Sequence, residues 1–473
     1  MSTPDAEVAA LLAPVASALS DFVFYKWRAF GADIPLIVVW MAAPMLFLTF
    51  YLGFVNFYGF KQAWRIARGR YRDRTAPGQV SQFQALSTAL SGTVGIGNIA
   101  GVGVAIGVGG PGATFWLIII GLCAMSLKFA ECTLGVKYRE IDENNVVSGG
   151  PMYYLKNGLA ARGLPKLGLG LAISYAVFGL PTLIQWATVN QLYQQVDSVL
   201  PVFSGLGFGV VFALLVAAAI IGGLREIAAV TTVLVPTMAA IYLGAALFVI
   251  GSNLTELPAA IATIFHQAFQ PDAVGGSVLG VIMIGMRRAV YSTEAGLGTS
   301  SIVHAAAKTR EPVSEGLMGL LEPFIDTVVI CTITALVIVL SGQYTSGDIG
   351  ITLTSRAFAT NLAFFPYILT VAVLLFGYST VISWAYYCEK IWRFAFGGNK
   401  ISVGAFKTVF IVHIVAGGVM TTTQVFDLVD SLFFLLAVPN IIGIYLLAPE
   451  LKRDLKDYFK RLKSGELDAS LTH

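Results

Sequence analysis

The sequence predicts an all-helical integral membrane domain of about eleven spans, two five-span halves of opposite orientation behind one extra N-terminal span. Three observations carry this. Hydrophobic residues make up 56% of the 473-residue chain and charged ones 12%, with a mean hydropathy of +0.76. A globular protein is usually about 25% charged, so this composition points away from a soluble enzyme and toward lipid. Apolar runs near 20 residues recur from end to end, and Lys and Arg cluster in every second connection.

The runs are 34–55, 86–107, 113–136, 168–190, 205–223, 229–251, 276–306, 316–341, 366–391, 403–422 and 428–447. Residues 1–33 precede them as an extracytoplasmic segment. Ala9 to Ala18 is apolar, but Asp5 and Glu7 stand where a signal peptide would carry Lys or Arg, which favours an uncleaved surface helix. The membrane domain covers 34–450, with halves at about 83–251 and 276–447, and residues 451–473 form a basic tail. Loops 56–85, 137–167, 224–228, 307–315 and 390–402, with the tail from 448, hold 23 of the 30 Lys and Arg. The opposite loops hold Lys26, Arg28 and Arg356. Basic residues in short loops stay cytoplasmic, so the N-terminus faces out, the C-terminus faces in, and the number of spans is odd. Cys123, Cys132, Cys331 and Cys388 lie in apolar runs without CxxC spacing and read as small buried residues.

Two runs are interrupted at their middles. In the second, Ser91 to Asn98 reads SGTVGIGN, followed by IAGVGVAIGVGG. Each glycine costs about 1 kcal/mol relative to alanine in a helix interior, so Gly92, Gly95, Gly97, Gly101 and Gly103 weaken this helix and let it unwind near mid-bilayer. Freed carbonyls at that depth make a cation site, and N–H groups at the start of the next half-helix attract a carboxylate. The competing reading is a small-residue packing face, and Gly97 with Gly101 fits its spacing; packing does not call for Ser91, Thr93 and Asn98 as well. The seventh run carries Arg287, Arg288 and then YSTEAGLGTSS. Gly95 and Gly97 correspond to Gly296 and Gly298 at an offset of 201 residues, so a broken helix opens each half and the halves enter the membrane from opposite sides. In the ninth run Phe376, Ser379 and Thr380, spaced i, i+3, i+4, put a carbonyl and two hydroxyls on one helix face.

SGTVGIGNIAGV, KFAEC from Lys128, GGPMYYL from Gly149, RAVYSTEAGLG from Arg288 and GYSTVISWAYYCE from Gly377 together resemble the alanine or glycine:cation symporter family, over about residues 34 to 450. The resemblance implies the leucine-transporter fold and uptake of alanine or glycine with sodium, less often with protons, and no cofactor. That fold is a standard example of binding at broken helices.

GIGN also resembles the GLGN of the leucine transporter's first broken helix. By that resemblance the carbonyls of Ser91 and Val94, with Phe376, Ser379 and Thr380, would hold one sodium, and Thr93 and Asn98 a second. The amides of Ile96 and Gly97, with Thr93 and Gly95 beside them, would hold the substrate carboxylate. Gln185 resembles the family glutamine that reaches the substrate, and Tyr291 and Ser292 would line the second broken helix, where Ala289 and Thr293 replace a usual glycine and asparagine. Trp384, one turn beyond Thr380, would leave room for a hydrogen or methyl side chain and little more.

Charged residues inside spans are expensive and default to function. Arg287 and Arg288 are expected to neutralise Glu294 or a neighbouring carboxylate in an inner gate. Lys128 with Glu131, and Glu322 with Asp326, divide between paired structural and functional roles. The four histidines are scattered, so no metal cluster is visible, and no HExxH or GxSxG supports an embedded enzyme. A passive channel is the nearer rival, because broken helices also build selectivity filters. Taken with the resemblance, the chain reads as a plasma-membrane symporter whose partners are a small neutral amino acid, sodium and lipid.

Overall fold

The computed structural model describes residues 4–29, 32–71, 73, 75–143, 146–270, 277–361, 363–419 and 423–469. The first residue of the seventh run, the last three of the tenth and the residues at both chain ends lie outside these. The described chain is helical apart from two short antiparallel hairpins, Lys26–Ala29 with Ala32–Pro35 and Glu140–Ile141 with Val147–Ser148. The apolar patch of the N-terminal segment lies within helix α1 (Pro4–Val23), and the first hairpin leads into α2 (Leu36–Tyr51).

The second run is α3 (Gln82–Thr93) and α4 (Ile96–Gly109), and the third is α5 (Ala113–Lys137). The fourth divides into α6 (Pro165–Gly179) and α7 (Trp186–Val199) around a 3₁₀ turn at Leu180–Leu183. Then come α8 (Gly205–Ile220) and α9 (Leu224–Ser252), followed by α10 (Val278–Thr293) and α11 (Thr299–His304) for the seventh run. The eighth run opens with α12 (Pro312–Gly319) and contains a wide π-helical stretch at Phe324–Cys331. It is followed by α13 (Gly350–Ala359), α14 (Phe365–Phe396), α15 (Lys400–Gly417), α16 (Thr423–Leu435) and α17 (Ala437–Ser464). Among the described residues seven helical segments, α6 with α7 and α16 with α17 each counted as one, are long and apolar enough to cross a membrane, eight when α3 and α4 are counted as one bent span; α2 and α8 are apolar but shorter.

Lipid offers no hydrogen bonds, so each span satisfies its own main chain and uses side chains at its ends. Ser81 and Gln84 form a reciprocal capping box at the start of α3, with Ser81 Oγ accepting from the Gln84 amide at 3.2 Å and Gln84 Oε1 from the Ser81 amide at 2.9 Å. Ser277 Oγ accepts from the Gly280 amide at the start of α10, and Asn399 Oδ1 from the Ser402 amide at the start of α15. Large apolar side chains point outward from several helices, among them Ile173, Val177, Leu214, Leu215, Val233 and Leu247, a surface suited to acyl chains and not to water. Polarity is inverted inside. Helix α5 packs against α2, α10, α11 and α12, and its Ser126, Lys128, Glu131 and Thr133 are fully buried.

Candidate substrate and ion site

The second span breaks where its glycines cluster. Val94 (φ −74°, ψ 102°) and Gly95 (φ −148°, ψ −161°) are extended, and the half-helices on either side are inclined by 44°. Asn98 stabilises the break, its Oδ1 accepting from the Gly95 amide at 3.0 Å. Ile96 and Gly97 begin α4, so their N–H groups have no acceptor in their own helix. The glycine run divides in two. A Cβ on Gly97 would meet nothing within 4 Å, whereas one on Gly103 would lie 2.1 Å from the Gly350 carbonyl oxygen. The packing reading therefore holds for the far end of α4 against α13; at the break Gly97 faces open space, while a Cβ on Gly95 would lie 3.3 Å from Thr380 Oγ1.

Helix α14 brings its oxygens to this break. Thr380 Oγ1 donates to the Ser91 carbonyl at 3.0 Å, Ser91 Oγ donates to the Ser379 carbonyl at 2.9 Å, and Ser91 Oγ also bonds Ser383 Oγ. Ser379 Oγ donates to the Phe376 carbonyl at 2.9 Å. Ser91, Phe376, Ser379 and Thr380 thus form one connected oxygen cluster between two spans. Thr93 turns its hydroxyl back onto the Ala89 and Leu90 carbonyls, both at 3.4 Å.

Asn98 leads to a second cluster. Its Nδ2 donates to Ser292 Oγ at 3.1 Å and to the Asp326 carbonyl at 3.3 Å. Ser292 Oγ donates to Asp326 Oδ1 at 3.2 Å and shares a 2.7 Å hydrogen bond with Thr327 Oγ1. Ser292 thus joins Asn98, Asp326 and Thr327 in one oxygen-rich cluster. Asp326 is fully buried, and among the described residues its carboxylate meets hydroxyls and no ammonium or guanidinium. Lys128 lies beyond hydrogen-bond distance but acts on this carboxylate electrostatically, so its burial is partly compensated. Its π-helical setting could not be read from a hydrophobic pattern.

The second break spans residues 294–298. Glu294 is left-handed (φ 50°), Gly296 and Gly298 have φ of 99° and 78°, and α11 resumes at Thr299. Distant side chains hold it open. Glu131 Oε1 accepts from the Gly296 and Gly298 amides at 2.9 and 3.0 Å and from Asn440 Nδ2 at 2.8 Å. Asn440 Nδ2 also donates to the Gly296 carbonyl at 2.7 Å, and Tyr175 Oη donates to the Leu297 carbonyl at 2.8 Å. Glu131 is the acceptor for a strand of main chain that no helix satisfies.

The structure does not bring Arg287 or Arg288 to Glu294, which leaves the other expected partner, a neighbouring carboxylate. Glu294 Oε2 accepts from Thr299 Oγ1 at 3.0 Å, whereas Arg287 stands over the rings of Phe24 and Tyr291 and Arg288 over Tyr291. The carboxylate acting on Arg288 is Asp430. The reason is helical: the arginines lie two turns before the break, on the side where the N-terminal segment packs, and Glu294 is the left-handed first residue of the break itself. Tyr291 and Trp384 are joined instead by aromatic contacts, Tyr291–Phe434 at 4.6 Å, Phe434–Phe433 at 5.7 Å and Phe433–Trp384 at 5.5 Å. Gln185 sits where the fourth span restarts, its Nε2 donating to the Thr182 carbonyl at 2.8 Å; Pro181 beside it was the available signal for that interruption.

Cys132, His304 and Glu322 place one ligand atom each within 4.8 Å of one another, a grouping the scattered histidines concealed. Both His304 nitrogens are engaged, Nδ1 with Glu315 at 2.6 Å and Nε2 with Glu322 at 2.8 Å, and the Lys128 ammonium lies 3.2 Å from Glu322. A divalent metal would have to displace this cation, so the residues read as a buried charge network.

A helical membrane protein with two unwound spans, each stabilised by side chains from other spans, has the construction of a secondary transporter. A family model described as the sodium:alanine symporter family matches residues 19–472. The chain is 36% identical over 441 residues to the sodium/alanine symporter AgcS of Methanococcus maripaludis, covering 91% of this chain and 96% of that protein. It is 33% identical over 435 residues to the probable sodium/glutamine symporter GlnT of Bacillus subtilis, covering 91% and 89%. Among solved structures, MhsT in complex with L-phenylalanine matches with a TM-score of 0.52 at 14% identity, covering 78% of this chain and 89% of that one, a likeness of fold. The chain belongs to the sodium:alanine symporter family.

Proposed function

We propose that this protein is a sodium-coupled symporter of small neutral amino acids, alanine or glycine, working by alternating access. The observation that carries the reading is the hydroxyl–carbonyl bridge from Thr380 to Ser91 at the break. Ser91, Phe376, Ser379 and Thr380 offer the neutral oxygens that a hard monovalent cation takes, and the open N-terminus of α4 beside them offers amides to a carboxylate. A sodium ion between α3 and α14 would draw both helices together and order the carboxylate site, so each ligand raises the other's affinity by the same factor. Asn98 and Ser292, with Asp326, form the second ion position. Trp384 closes the pocket, and Arg287 and Arg288, which precede the second break on the half-span that enters from outside, line its outer approach with Tyr291 instead of an inner gate. AgcS is named for alanine and GlnT for glutamine, so pocket size decides between them here.

In this reading the chain crosses the cell membrane eleven times, with the N-terminus outside and the basic tail in the cytoplasm. Proton coupling through a lysine in the sixth span has no candidate, because residues 229–251 contain no Lys or Arg. The test is uptake of labelled alanine and glycine into proteoliposomes under an imposed sodium gradient, with choline as replacement cation. Accumulation must follow sodium. Uptake that never exceeds the substrate gradient would indicate a channel, and accumulation that follows pH alone would indicate a proton symporter.

A further inference from the structure

On the face rich in Lys and Arg the two broken spans are joined main chain to main chain. The Gln79 and Val80 amides donate to the Ala306 carbonyl at 2.7 and 3.2 Å, and the Lys308 amide donates to the Val80 carbonyl at 2.8 Å. The segment leading into α3 thus runs parallel to the segment leaving α11, with Val80 bridged to Ala307. The approach is close enough to require glycine at 78, where a Cβ would lie 2.5 Å from the Ala307 carbonyl oxygen.

One side chain spans this junction. Arg139, just past the end of α5, donates from Nη1 to the Ala305 and Ala307 carbonyls, both at 2.7 Å. From Nη2 it donates to the Pro77 carbonyl at 2.9 Å and to the Thr309 carbonyl at 2.8 Å. Among the described residues its hydrogen-bond acceptors are these carbonyls, with the Glu315 carboxylate acting on its charge from farther off. A planar guanidinium with a rigid fork can gather four carbonyls in one geometry; an ammonium presents its donors from a single point. The clasp also reaches α14. Gln79 Oε1 accepts from the Val147 amide at 3.1 Å, and the Val147 carbonyl accepts from Lys390 Nζ at 2.5 Å.

Helix α3 is twelve residues long, hinged at Val94–Gly95 and fixed at its other end by this clasp and by Gln82 Nε2 donating to Glu315 Oε2 at 2.8 Å. A cavity of about 480 Å³, lined by Arg68, Gln79, Ser81, Gln84 and Lys308, lies against the clasp. We infer that the Arg139 clasp is the gate of the basic face: closed, it seals the broken spans from that side, and released, it lets α3 swing about its hinge. This rests on the alternating-access reading and adds to it the gate and its positioning residue.

The test places a reporter behind the gate. Thr88 on α3 is fully buried, its hydroxyl 3.0 Å from Thr231 on α9. A Thr88→Cys variant in a cysteine-free background is labelled with a membrane-impermeant maleimide applied to the basic face. Arg139→Gln should raise the labelling rate at least about tenfold, because hydrogen bonds to a charged donor are lost. Arg139→Lys should raise it as well, which a purely electrostatic role would not produce. Gly78→Ala leaves Arg139 in place and forces the strands apart, so it should act in the same direction. Hydrogen exchange in the parent supplies a readout free of these variants: the Val80 and Lys308 amides must exchange faster when sodium is withdrawn. Unchanged labelling in folded Arg139→Gln and Gly78→Ala proteins, parent-like labelling in Arg139→Lys, or equal protection with and without sodium overturns the inference. Labelling needs no assumption about the solute, so faster labelling without alanine or glycine uptake would uphold the gate and reject the substrate assignment.

Discussion

Replacing Gly97 by valine separates the two readings of the glycine run. A Cβ there enters open space, and valine is roughly 0.3 kcal/mol more favourable than glycine in a helix. Folding and membrane insertion should therefore be unchanged. The open space is where the carboxylate must approach the Ile96 and Gly97 amides, and a β-branched side chain excludes it. Losing one charge-assisted hydrogen bond costs about 1.5–3 kcal/mol, a roughly 10- to 150-fold weaker affinity, and losing both abolishes measurable binding. Gly103→Ala is the control. Its Cβ lies 2.1 Å from the Gly350 carbonyl oxygen, so α4 and α13 must separate at a cost of about 1–3 kcal/mol, while the affinity of the folded fraction stays near that of the parent. The assay is alanine binding in saturating sodium together with the melting temperature in detergent. Parent-like binding by Gly97→Val would refute the reasoning, as would Gly103→Ala losing affinity without losing stability.

Three further outcomes follow from the same geometry. Thr380→Ala removes the hydroxyl that reaches the Ser91 carbonyl and should raise the sodium half-saturation several-fold or more, while Thr380→Ser stays close to parent; sodium titrations of alanine binding at fixed ionic strength read both. Trp384→Ala opens space beside Phe433 and Tyr387 and should let valine or leucine compete with labelled alanine, since size discrimination by an apolar pocket is worth only about 1–3 kcal/mol per methylene; no gain in leucine competition would remove Trp384 from the pocket. Glu131→Ala strands the Gly296 and Gly298 amides, each at about 1–3 kcal/mol, and should lower the melting temperature and uptake together; Glu131→Gln keeps one acceptor oxygen and should recover part of both, and equal loss in the two variants would show that charge, not acceptance, is what the segment requires.

Much of this molecule is local in its sequence. The membrane class, the helical runs, the break at Val94–Gly95 and the wound-unwound-wound form of the seventh run all follow from hydropathy and glycine spacing within twenty or so residues, because lipid obliges each span to satisfy its own main chain. The grouping of Ser91 with Ser379 and Thr380 needed a family resemblance to propose and a fold to bring within hydrogen-bond distance. Other features were settled only by packing. Glu131 finds its amides 165 and 167 residues away, Arg139 finds its carbonyls on two different segments, and Asp326 meets Ser292 through a π-helical stretch whose extra residue per turn changes which face it occupies. The partners of Arg287, Arg288 and Glu294 show the limit most plainly. Sequence placed these charges six or seven residues apart, but a left-handed residue at Glu294 turns the chain between them, and the side to which each charge is directed depends on that tertiary turn and not on its spacing.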